Sequence, residues 1–127
     1  MGVNVDFIIM VGIIGDYNDF RTYKSKNHDN YLDDLKFNYL DNIKNIVFAD
    51  YLPEGYIYDY DGMGGEYSFI GKRIFKSRDW NCYDGMYYHF LPPDIEIIRK
   101  EVIREFKNIK LEFNEDDVKL HIFTHFS

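Results

Sequence analysis

Near its start the chain alternates. In "VNVDFIIMVGII", Val3, Val5, Phe7, Ile9, Val11 and Ile13 fall on one side of a period-two pattern, and Asn4, Asp6, Ile8, Met10, Gly12 and Ile14 on the other. The second half of this stretch is apolar on both sides, which predicts a strand covered on each face. Gly12 within it predicts a bulge or the close approach of another backbone. Residues 15 to 30, "GDYNDFRTYKSKNHDN", are polar and turn-rich and read as a long surface loop, a candidate contact surface. "DNYLDDLKFNYLDNIK" then sets Leu32, Leu35, Tyr39 and Ile43 at helical spacing, with Asp29 or Asn30 available as N-cap. Asn45 to Leu52 is a short apolar run ended by Pro53 and reads as a strand, and Tyr56 to Lys76 reads as a hairpin turned at the glycines. Pro92-Pro93-Asp94 opens a second helix, with Ile95, Ile98, Val102 and Phe106 on one face. The end of the chain reads as two strands, "IKLEF" and "VKLHIFTHF", joined at "NEDD".

This order predicts one α+β domain over residues 1 to 127: a single-layer, mostly antiparallel sheet with two helices. A chain of this length buries roughly two-thirds of its unfolded surface, enough for one core. The composition agrees, with 46% hydrophobic and 29% charged residues, so the signature of a disordered chain is missing. Twelve Tyr and eleven Phe stand against one Ala, Ala49, a skew that follows AT-rich codons.

Charge narrows the functional classes. The net charge is −7, and the basic residues are scattered instead of forming a stripe, so nucleic acid is not an expected partner. Cys82 is the single cysteine, which excludes an internal disulfide and fits a reducing, cytoplasmic setting. The apolar run Phe7 to Ile14 is too short to span a bilayer and follows Asp6 instead of basic residues, so neither a membrane segment nor a signal peptide is expected.

Candidate chemistry centres on "YIYDYDGMGGEYSFIGKR". It fails as a phosphate loop, because five residues separate Gly65 from Gly71 and Arg73 stands where a hydroxyl is needed. Asp59, Asp61, Glu66 and Asp84 are hard oxygen donors, but their spacing is not that of a calcium loop, and acids beside glycines more often form turns. His121 and His125 would share a zinc ion on a helix, but in a strand they lie about 13 Å apart along the chain, so no metal is expected there. The strand reading makes them surface residues flanking Phe123, opposite a core side formed by Val118, Leu120, Ile122 and Phe126. Cys82 and Ser77 lie near Asp79, Asp84 and His89 in the chain, but no nucleophile motif surrounds them. No cofactor is expected.

What remains is "RDWNCYDGMYYHFLPP", where large aromatic residues crowd an irregular segment. Rings of this kind anchor protein contacts or plug a core. Trp80, Tyr83 and Tyr87 are therefore the expected partner-binding residues, joined by Phe123, whose outward position would also favour a homodimer. The stretches "MGVNVDFIIMVG", "GGEYSFIGKRIFKSRDW" and "LHIFTHF" resemble small uncharacterised proteins of tailed phages and AT-rich large DNA viruses. That resemblance implies a viral origin and carries no functional residue. The expected function is that of a non-enzymatic accessory protein working by protein–protein contact. The alternative is a small hydrolase, or a nucleotide- or metal-binding protein, using Asp59, Asp61, Glu66 or His89 beside the glycine turn.

Overall fold

The computed structural model describes residues 5–78 and 93–127. Its elements in chain order are β1 (Val5–Asp16), β2 (Phe20–Tyr23), α1 (Asp29–Lys36), β3 (Asn45–Phe48), β4 (Tyr56–Tyr60), β5 (Tyr67–Arg78), α2 (Ile95–Asn108) and β6 (Lys119–Phe126). The main sheet runs β4-β5-β1-β6 and is antiparallel throughout, while β2 and β3 form a separate parallel pair. The architecture is a small α+β fold.

The long apolar strand sits inside the sheet, between β5 and β6. On one face Val11, Ile13 and Ile70 pack with Val102 and Phe106 of α2, and Leu111, Val118, Phe20 and Val47 complete this core. On the other face Ile8, Met10 and Phe69 form a second buried cluster. Gly12 lies directly opposite Gly71 of β5, and a Cβ on Gly12 would stand 2.2 Å from the Ile70 carbonyl oxygen. Close approach of a neighbouring backbone is thus the reason for the glycine. The one irregularity in this pairing falls between Ile9 and Met10, where β5 carries Ile74 as an extra residue.

The hairpin of β4 and β5 forms as expected, and a single side chain organises its turn. Asp61 Oδ1 accepts from the amides of Met63 and Gly64, and Oδ2 accepts from the amide of Glu66. Gly65 takes a φ of 64°, a conformation that needs no Cβ. The stretch that looked built to hold a ligand turns a corner.

Both helices end in the same way. Beyond α1, Asn38 is left-handed (φ 60°), its amide bonds the Leu35 carbonyl and that of Tyr39 the Asp34 carbonyl. Beyond α2, Lys110 is left-handed (φ 59°), and the amides of Lys110 and Leu111 bond the carbonyls of Lys107 and Phe106. These are Schellman closures, with Asn and Lys where Gly is usual. At its start α2 is capped by Asp94, whose side chain accepts from the Ile97 amide.

Several expectations need correction. Residues 15 to 30 are not one loop: β1 continues to Asp16, a turn held by Asp19 follows, and Phe20 and Tyr23 are buried on β2. The first helix stops at Lys36, so Tyr39 and Ile43 lie beyond it. The strand Asn45 to Leu52 stops at Phe48, where a single 3₁₀ turn (Ala49–Tyr51) takes over. The terminal hairpin does not form. Residues 109–113 make no strand, because Asn45 holds Glu112 by both its backbone groups (2.8 and 3.1 Å), and β6 pairs with β1 instead.

Candidate functional site

Where the chain leaves the main sheet, β2, α1 and β3 build a small lobe. Its two strands are parallel, so a crossover must join them, and α1 is that crossover. The lobe is tied to the sheet by Ser68, fully buried, whose hydroxyl accepts from the Phe20 amide (3.1 Å) and donates to the Asp16 carbonyl (2.5 Å).

Within the lobe α1 docks by an unexpected side. Tyr31 meets the rings of Tyr23 (5.2 Å) and Phe48 (5.1 Å), and the Tyr23 hydroxyl donates to Asp34. Positions 31 and 34 therefore face inward, three residues apart on one side of the helix. Burial and the Asp34 carboxylate both push the Tyr23 hydroxyl far above its ordinary pKa, which keeps it protonated as a donor. Leu32 and Leu35, the residues whose spacing suggested a buried face, stand 47% and 53% exposed, and α1 buries none of its residues. Phe37 and Tyr39 stack on one another just beyond the helix end (5.7 Å) and are exposed as well. Four large apolar side chains within eight positions are thus left to solvent.

Behind α1 lies a cavity of about 370 Å³ lined by Arg21, Thr22, Tyr23, Lys24, His28, Asn30, Asp33, Asp34 and Tyr60. The Arg21 guanidinium lies over the rings of Tyr17 (4.8 Å) and Tyr60 (4.7 Å), which meet edge to face. Spacing along the chain gave no sign of this group, since it draws on a turn, β2 and the end of β4.

The expected site residues fare differently. Trp80, Tyr83 and Tyr87 fall in residues 79–92, outside the described residues, as do Cys82, Asp84 and His89. Phe123 does not point away from the core: it is half-buried, edge-on to Phe69 at 5.0 Å in the second apolar cluster. β6 does form an edge of the main sheet, but its exposed apolar residues are Leu120 and Ile122. The expected core side holds at Val118, which is buried in the first core, and fails at Leu120 and Ile122, because the sheet has an apolar cluster on each side and Phe123 joins the second.

The histidines are likewise not surface residues. His121 is half-buried, with Nε2 2.9 Å from the Gly12 carbonyl oxygen, and burial lowers its pKa below the usual histidine value. His125 is 1% exposed, with Nδ1 2.8 Å from the Tyr67 hydroxyl and Nε2 3.0 Å from Asp59 Oδ2. The Tyr67 oxygen already accepts from the Phe126 amide. The ionised Asp59 carboxylate can only accept, so Nε2–H donates to it, and in the neutral ring Nδ1 then accepts the Tyr67 proton. Every polar atom in this chain of bonds has a partner, as a structural network requires. Asp61 is equally engaged, and the turn amides that it accepts lower its pKa. No group of three or more His, Cys, Asp or Glu side chains able to hold a metal occurs among the described residues. Nor is any helix among them long and apolar enough to cross a membrane.

Comparison with known proteins adds no assignment: no family model, curated protein or solved structure matches this chain.

Proposed function

We propose that this protein is a non-enzymatic accessory protein that works by protein–protein contact, and that the apolar side of α1 with Phe37 and Tyr39 is its contact surface. One observation carries the reading: an amphipathic helix whose leucines are exposed while a tyrosine and an aspartate dock it. Scattered apolar residues are normal on a surface, but a contiguous patch marks a binding face. Aromatic side chains add to this, since they bring large contact area at little rotamer entropy. Self-association belongs to the same proposal and falls to the β6 edge at Leu120 and Ile122, where strand pairing with a second copy would set the partner's side chains beside both.

The rival reading, a hydrolase or a nucleotide- or metal-binding protein beside the glycine turn, has less support. Asp61 is committed to turn amides and Asp59 to His125 and the Tyr60 amide.

The test is quantitative capture from the source cell with the wild type and with a Leu32→Ser, Leu35→Ser, Phe37→Ser triple variant. One partner held in stoichiometric amount by the wild type and lost by an equally stable variant supports the proposal. Identical capture by both proteins refutes it. Light scattering on Ile122→Glu tests self-association, which is refuted if the wild type is already monomeric at high concentration.

A further inference from the structure

The polar cavity behind α1 has features that a contact surface does not need. Arg21 makes no ion pair among the described residues, and its Nε is buried without an acceptor. The Nδ1 of His28, a residue that lines the same cavity, is also buried and without a partner among the described residues. A buried polar atom left unpaired is costly, and these two belong to residues that line one cavity. The Arg21 guanidinium carries a planar fork of N–H donors, the arrangement that meets a carboxylate in a two-point contact. Lys24 adds a second cation to this cavity.

Acids stand in the same wall. Asp33 and Asp34 line the cavity with the cations, and Asp34 already accepts from Tyr23. A ligand rich in phosphate would meet these carboxylates as like charges, whereas a molecule with one anionic and one cationic group would find a partner for each. At about 370 Å³ the cavity lies at the low end of the roughly 300–1,000 Å³ typical of ligand sites, which restricts the occupant to a small molecule.

We propose that this cavity is a binding site for a small zwitterion of the α-amino-acid type, its carboxylate held by Arg21 and its ammonium held at Asp33 and Asp34. His28 contributes its free nitrogen and Thr22 and Asn30 their polar groups to the remainder of the ligand. The site is independent of the contact surface proposed above, since it lies on the inner side of α1.

The test is a titration followed by amide chemical shifts. Glycine, glutamate and lysine serve as free amino acids, with acetate, methylammonium and inorganic phosphate in parallel. At least one amino acid is expected to shift the amides of residues 21–34 saturably, and to bind more tightly than acetate, methylammonium or phosphate. Arg21→Gln is expected to weaken that binding by about tenfold or more, the worth of one charge-assisted contact. Since Arg21 also stacks on two rings, Asp33→Asn at an exposed position provides the second variant, and it should weaken the amino acid while leaving acetate unchanged. The proposal is overturned if no amino acid saturates, if phosphate or acetate binds as tightly as the best amino acid, or if Asp33→Asn binds all the probes as the wild type does.

Discussion

Replacing Gly12 by alanine puts the packing of the main sheet to its sharpest test. The added Cβ would stand 2.2 Å from the Ile70 carbonyl oxygen and 2.5 Å from Gly71 Cα, where ordinary contact begins at 3.4 Å. Both obstacles are backbone, so no side chain can swing aside, and β1 and β5 must part locally by about 1 Å. Parting them weakens ladder hydrogen bonds worth about 1 kcal/mol each. It also disturbs Val11, Ile13, Ile70 and Met10, none of which is more than 6% exposed, at the roughly 1–3 kcal/mol typical of overpacking. The sum is a loss of about 3–5 kcal/mol from a total stability of roughly 5–15 kcal/mol for a domain of this size. Gly55→Ala is the control: its φ of 92° is unfavourable for alanine, but among the described residues nothing lies within 4 Å, so only about 1–2 kcal/mol is expected. Urea unfolding followed by circular dichroism measures both. The reasoning is refuted if Gly12→Ala costs no more than Gly55→Ala, because the close approach of the two strands would then be without consequence.

Three further outcomes follow from particular groups. Lys110→Gly should stabilise the fold by about 1 kcal/mol, a rise in Tm of about 3–5 °C, because the residue closing α2 is left-handed at φ 59°; an unchanged or lower Tm would contradict it. Tyr56→Phe should be neutral or stabilising by about 1 kcal/mol in chemical denaturation, since the Tyr56 hydroxyl is buried without a hydrogen-bond partner among the described residues; a clear loss would show that the hydroxyl is satisfied. His121, whose pKa burial lowers, binds fewer protons folded than unfolded, so its contribution is complete above the unfolded value of 6.5 and is lost as pH falls from there toward the lowered folded value. Denaturation at a series of pH values should show that loss in the wild type and a smaller one in His121→Gln.

Legibility from sequence followed the kind of signal each segment carries. β1, the β4–β5 hairpin and α2 were readable because their patterns agree with what packs against them: two apolar sides for a strand covered twice, a glycine-rich corner clamped by an aspartate, and Val102 and Phe106 under a capped helix. β6 was readable as a strand but not in its orientation. Its two sides are both apolar enough to be core, and only pairing with β1 decides that Phe123 and His125 join Ile8 and Phe69 while Ile122 stays outside. β2 was missed because four residues carry too little pattern, and their strand character comes from Ser68 and β3, both distant in sequence. The end of α1 was missed for a related reason, since Asn38 stops the helix without the glycine that usually signals it.

The candidate sites divide along the same line, and α1 shows why. Its apolar residues repeat as regularly as those of α2, yet α2 buries Val102 and Phe106 and α1 buries nothing. Periodicity reports that a helix has an apolar side and is silent on whether the rest of the chain covers it. In α1 the inward side is decided by tertiary pairs, Tyr31 against Tyr23 and Phe48, and Asp34 under the Tyr23 hydroxyl. Those pairs do two things at once. They turn Leu32 and Leu35 outward, which makes the proposed contact surface, and they help wall the polar cavity in which Arg21 has no ion pair among the described residues. Tyr31→Ala, which removes the docking ring and leaves both leucines and Arg21 in place, should therefore weaken partner capture and amino-acid binding together, whereas the leucine variants should affect capture alone.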